Sequence, residues 1–153
     1  MRISRRTFLR STLTGSVLAL GATFLPRTLL AEWPKKAFEA KSVDDALTAL
    51  FNSNEATESD KIKLDAPDIA ENGAVVKIEI STELEKVESI AIVAEKNPVP
   101  LVAQFKLSEN TVGFVSTRIK MGETGNVIAV VKADGKLYKA SKEVKVTIGG
   151  CGG

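Results

Sequence analysis

Val76-Lys77-Ile78-Glu79-Ile80 reads apolar, charged, apolar, charged, apolar. Successive side chains of an extended chain point to opposite faces, so this stretch puts three β-branched residues on one side and two charges on the other. That is the pattern of a strand with one buried and one wet face. The same period of two returns downstream in Ile90, Ile92 and Ala94, and then in Leu101, Ala103, Phe105 and Leu107 against Gln104 and Lys106. It continues through 112–119, 127–131 and Val144, Val146 and Ile148, and Lys61-Ile62-Lys63-Leu64 is a shorter run upstream. Turn residues punctuate these runs. Asn72 and Gly73 in Glu71-Asn72-Gly73 accept positive φ, residues 122–125 are glycine-bounded, and Ala133-Asp134-Gly135 reads as a tight hairpin into Leu137-Tyr138. Seven or eight short strands separated in this way predict a mainly β chain folded as an immunoglobulin-like antiparallel β-sandwich. In Asn97-Pro98-Val99-Pro100, two prolines remove ladder donors and point to a rigid corner at a strand end; a partner-docking loop is the second reading.

Residues 32–51 carry a different period. Trp33, Ala37 and Phe38, and later Val43, Ala46, Leu47, Leu50 and Phe51, recur at three- and four-residue spacings, which predicts a helical segment ahead of the sandwich with Trp33 in the core. Ser42 followed three residues later by Asp45 resembles a helix cap. Residues 52–60 have no apolar period and read as a solvated connection.

The first 31 residues read as an address and not as fold. Ser4-Arg5-Arg6-Thr7-Phe8-Leu9-Arg10 is a twin-arginine motif, followed by an apolar stretch over 13–25 that Gly15 and Gly21 interrupt. It is too short and too diluted for a bilayer span, which needs about 20 strongly apolar residues. Cleavage after Ala31 and export to the periplasm are the expectation. The leader holds five arginines and no acidic residue, so its removal leaves 16 basic against 19 acidic side chains, about −3. A faintly acidic domain with interspersed lysines has no electrostatic footprint for nucleic acid. The expected organisation is a signal at 1–31, a sandwich domain with its helical segment at 32–148, and a mobile arm at 149–153.

Much catalytic chemistry is absent. With no histidine in the chain, Cys-His and Ser-His-Asp machinery and histidine-based metal sites are excluded. Glu83, Glu85 and Glu88 stand among lysines and read as a solvated face. What remains is Gly149-Gly150-Cys151-Gly152-Gly153, which contains the chain's one cysteine. Export leads to an oxidising compartment, yet a single cysteine cannot form an internal disulfide. Bare glycines resist ordering and are only as wide as the backbone, so Gly149, Gly150, Gly152 and Gly153 would let Cys151 enter a cleft in another protein. Five extended residues reach about 17 Å. No basic residue stands beside Cys151 in sequence to favour its thiolate, so activation is expected from partners. A prenylation signal fails because the cysteine is third and not fourth from the end. The residues leave three uses of the thiol open: carriage of a covalent group, an intermolecular disulfide within an exported structural module, or the nucleophile of a sulfurtransferase acting alone, against which the missing general base argues.

The tail closely resembles that of the SoxY family, the sulfur carriers of periplasmic thiosulfate oxidation. Ile69-Ala70-Glu71-Asn72-Gly73, Asn97-Pro98-Val99-Pro100-Leu101, Thr117-Arg118-Ile119-Lys120-Met121 and Val146-Thr147-Ile148 leading into the glycine-cysteine tail are similar to segments of that family. The resemblance implies a non-catalytic carrier that pairs with a SoxZ subunit as a heterodimer and holds its substrate covalently on Cys151. It also implies a SoxAX cytochrome that conjugates thiosulfate to the thiol and a SoxB hydrolase that releases sulfate. A SoxCD dehydrogenase would oxidise the remaining sulfane where that step occurs. No metal, haem or other cofactor is expected on the carrier itself.

Overall fold

The computed structural model describes residues 34–148, so Trp33, the leader and the glycine-cysteine tail lie outside the described residues. Two helices come first, α1 (Lys35–Glu39) and α2 (Val43–Phe51). Ser42 separates them from its extended conformation: its Oγ accepts the Asp45 N–H at 3.1 Å and its hydroxyl donates to Asp45 Oδ2 at 2.7 Å. The helical period therefore resolves into two pieces, with the cap at the anticipated residue. Asn52 closes α2 in the left-handed conformation.

Nine strand segments follow among the described residues: β1 (Thr57–Glu58), β2 (Ile62–Asp65), β3 (Ile69–Ala70), β4 (Val76–Thr82), β5 (Val87–Ala94), β6 (Leu101–Lys106), β7 (Phe114–Ile119), β8 (Gly125–Ala133) and β9 (Lys136–Val146). One sheet runs β1-β9-β8-β5-β6 with β3 also on β9, and the other runs β2-β4-β7. The sandwich is antiparallel except at β9, whose outer edge takes β1 and β3 in parallel. β1 falls inside the stretch read as a solvated connection. Both residues of β1 are exposed, so no apolar period marks them.

The core between the sheets holds Val76, Ile78 and Ile80 from β4 and Ile90, Ile92, Val127, Ala129 and Val131 from the larger sheet. The larger sheet is buried on its second face as well. Ala91, Val93, Val130 and Leu137 pack with Ala37, Ala46 and Leu47 of the helices in a separate cluster. This is why β5 reads Ile90-Ala91-Ile92-Val93-Ala94, apolar at every position, where β4 alternates.

Asp134 and Gly135 join β8 to β9 with φ of 49° and 73°, the paired left-handed geometry of a tight hairpin. The turn at Glu71-Asn72-Gly73 is made differently. Neither Asn72 nor Gly73 has positive φ; instead Asn72 Oδ1 accepts the Ala74 N–H at 2.9 Å, so the asparagine serves as a side-chain mimic of backbone. Among the described residues no helix is long and apolar enough to cross a membrane.

Candidate functional site

Cys151 and the four glycines around it lie outside the described residues, and the structure places the point from which they depart. β9 runs eleven residues and ends at Val146. Beyond it the backbone is held on several sides. Thr147 donates its N–H to the Ala70 carbonyl at 3.1 Å and its hydroxyl to the Glu71 carbonyl at 2.9 Å. The Ile148 carbonyl accepts the Gly73 N–H at 2.8 Å. Just upstream, Val146 donates its N–H to Thr124 Oγ1 at 2.9 Å, and the Lys145 N–H reaches the Asp68 carbonyl at 3.0 Å. Each residue from Lys145 to Ile148 is therefore fixed by a neighbour from another part of the chain.

Those neighbours are themselves braced. The Gly73 carbonyl accepts the Met121 N–H at 2.7 Å. Asn97 spans Met121 from the other side: its Nδ2 donates to the Lys120 carbonyl at 2.8 Å and its Oδ1 accepts the Gly122 N–H at 3.0 Å. The Met121 side chain is buried in the core between the sheets. The proline-rich segment is thus a corner, with Pro100 buried and its carbonyl accepting the Ala94 N–H at 2.8 Å.

Residues 69–73, 97–101, 117–121 and 146–148, quoted above as separate stretches, accordingly meet at one end of the sandwich. Local sequence reading treats the asparagine turn and the proline corner as unrelated punctuation. The signal that could have joined them was that all four segments share one resemblance. Around the same root, Ile148 is 70% exposed and Ile69 and Val75 are each 58% exposed, three of the five large apolar side chains that stand exposed among the described residues.

Several carboxylates elsewhere are engaged in surface pairs. Glu83 lies 3.5 Å from Lys63. Hydrogen bonds from Lys77 at 2.9 Å and Ser116 at 3.0 Å hold Glu79 below the ordinary glutamate range. Glu88 is likewise lowered, by Lys132 at 2.8 Å and by the Gly135 N–H at 2.8 Å. Glu88 lines an open depression of about 610 Å³ with Lys86, Leu107 and Asp134, at the hairpin end of β9, opposite the departing tail.

Comparison with known proteins decides what this root belongs to. The family described as sulfur oxidation protein SoxY matches residues 47–151, a span that covers both sheets and includes Cys151. The chain belongs to the SoxY family. Among solved structures, the sulfur carrier protein SoxY from Chlorobium limicola f thiosulfatophilum is 43% identical with a TM-score of 0.64, covering 70% of this chain and 97% of that one. Superoxide reductase (neelaredoxin) from Ignicoccus hospitalis shares the fold at 17% identity and a TM-score of 0.50, covering 56% of this chain and 80% of that one. No curated protein matches. The SoxY match takes in all of the root: the Asx turn, the Asn97 corner, residues 120–122 and the end of β9 fall within it.

Proposed function

We propose that this SoxY chain is a covalent sulfur carrier of thiosulfate oxidation, with Cys151 as the attachment point and Gly149, Gly150, Gly152 and Gly153 as the arm that presents it. The observation that carries this reading is the family match running through Cys151, on a chain whose strand β9 ends in a firmly held root just before that residue. Loading joins Cys151 Sγ to the sulfane sulfur of thiosulfate. The thiol loses its proton, and two electrons pass to an oxidant, the role assigned to a SoxAX-type cytochrome. Hydrolysis of the resulting S-thiosulfonate by a SoxB-type enzyme adds water across the S–S bond to sulfur trioxide, releasing sulfate and leaving a persulfide on Cys151. A SoxCD-type dehydrogenase would act on that persulfide, and a SoxZ-like subunit would be the stable partner.

On this reading the carrier needs no resident cofactor and is not itself a catalyst; its partners supply the acid, base and redox chemistry. The twin-arginine leader sends it to the periplasm. The reach of the arm makes its root the surface on which a partner enzyme would land. Cys151 is three residues past Ile148, so the two are within about 10 Å of chain. When the sulfur reacts inside an enzyme, Ile148 stands near the mouth of that enzyme's cleft, and its exposed apolar side chain, with those of Val75 and Ile69 on the same root, suits such a contact.

The deciding experiment is the intact mass of mature protein from cells consuming thiosulfate, before and after a thiol reductant. A reductant-removable adduct of additional sulfur atoms on the peptide containing Cys151 is the expected result. A bare thiol, or only a disulfide-linked dimer, would replace the carrier reading with the structural one.

A further inference from the structure

We infer that Asn97 is a positioning residue for the arm, acting through a relay of hydrogen bonds that ends on the last residue before the glycines. The inference rests on the carrier reading, because it assigns a purpose to the root of the arm. The relay has three links. The two ends of the Asn97 amide bond to Lys120 and Gly122, the residues on either side of Met121. Met121 donates its N–H to the Gly73 carbonyl, and Gly73 donates its own N–H to the Ile148 carbonyl.

The physical case is one of confinement. An arm of bare glycines has no side chain with which to choose a direction, so the only control over where Cys151 searches is the position and orientation of its first fixed peptide. Ile148 is 70% exposed and cannot be held by packing of its own side chain. Its carbonyl is held by Gly73, in a turn that is itself held by the Asn72 side chain and by the Met121 N–H. Met121 in turn is set by its buried side chain and by the Asn97 amide gripping both flanking peptides. A primary amide is the side chain suited to this task, since one end must donate to a carbonyl while the other accepts an N–H. A loosened root would spread the arm over more directions and raise the entropic cost of ordering it in an enzyme cleft. That cost falls on binding and leaves the chemistry of the bound thiol untouched.

The test uses the full mature carrier, with its partner subunit where the two purify together, in wild-type, Asn97→Ala and Asn97→Asp forms. Asn97→Asp keeps an acceptor for the Gly122 N–H but turns a second carboxylate oxygen toward the Lys120 carbonyl, so it breaks one of the two contacts and keeps the other, and it is the second variant should Asn97→Ala fold poorly. Amide exchange is read at Met121 and Gly73, with Ile92 and Val130 as core controls. Loading by the thiosulfate-conjugating cytochrome is followed over a range of carrier concentrations, together with the reaction of Cys151 with a small aromatic disulfide. Loss of one or two modest hydrogen bonds predicts roughly 3- to 10-fold faster exchange at Met121 and Gly73. It predicts a similar rise in the KM for carrier, an unchanged kcat and an unchanged rate with the small disulfide. A variant with a lower Tm but wild-type KM and wild-type Gly73 exchange overturns the relay and leaves Asn97 as a corner residue alone. Failure of the wild-type chain to be loaded at all removes the carrier reading itself, and the relay with it.

Discussion

At the scale of single residues, the sulfur and the backbone geometry make separable demands. Cys151 offers the chain's one thiol, so Cys151→Ser should abolish thiosulfate-dependent turnover in a reconstituted system while thermal unfolding stays at the wild-type midpoint. Turnover surviving in that variant would remove the attachment point. Gly135 makes a different demand. It sits at φ +73° with no atom within 4 Å of where a Cβ would go, so a methyl group there meets no neighbour. The whole cost of Gly135→Ala is then conformational, about 1–2 kcal/mol for an L-residue held left-handed. Because the hairpin lies at the end of β9 away from Ile148, the prediction is a lower denaturation midpoint with wild-type loading kinetics. A loss of loading would mean that the two ends of β9 are coupled.

At the scale of elements, α2 is nine residues long and begins with an exposed cap, a length at which an isolated helix is marginal and tertiary packing provides most of the stability. Ser42→Ala removes the acceptor for the Asp45 N–H and should cost about 1 kcal/mol, measured by chemical denaturation with m unchanged. A change in m would indicate that α1 and α2 had detached from Ala91, Val93, Val130 and Leu137 as a layer. Both this cap and the alternating β4 were legible in sequence because local chemistry determines them: Ser42 needs only its own helix, and Val76, Ile78 and Ile80 need only one apolar face. β1 and β3 were not, since each is two residues long and exists through parallel pairing with distant residues of β9. The second buried face of β5 was hidden for a related reason. Ala91 and Val93 are consistent with a strand or a helix, and only the helices above them explain why they are apolar. The tail cysteine stood out from composition alone, whereas the Asn97 brace became visible only when the fold brought residues 97, 121, 73 and 148 together.

At the scale of the whole molecule, both sheets carry a lowered glutamate, Glu79 on β4 beside β7 and Glu88 on β5 beside β8 and the hairpin. Each is held chiefly by a lysine hydrogen bond, Lys77 in the first case and Lys132 in the second. A carboxyl whose folded pKa lies below its unfolded value binds fewer protons in the folded state near that value, so unfolding takes up protons and acid favours it. The contribution of both groups is complete above the unfolded glutamate value of about 4.3 and is lost as pH falls through their lower folded values. The expected profile is a Tm that is insensitive to these two groups from pH 7 to about 5 and declines below about pH 4. Both sites are open to solvent, so the effect is modest and should shrink in high salt. Glu88→Gln isolates one of them. The amide cannot titrate, so the variant should start with a slightly lower Tm at pH 7 and lose less on acidification, its profile converging on the wild type in acid. An acid slope as steep as that of the wild type would show that the pairing of Glu88 with Lys132 and Gly135 contributes nothing to the joining of β5, β8 and β9.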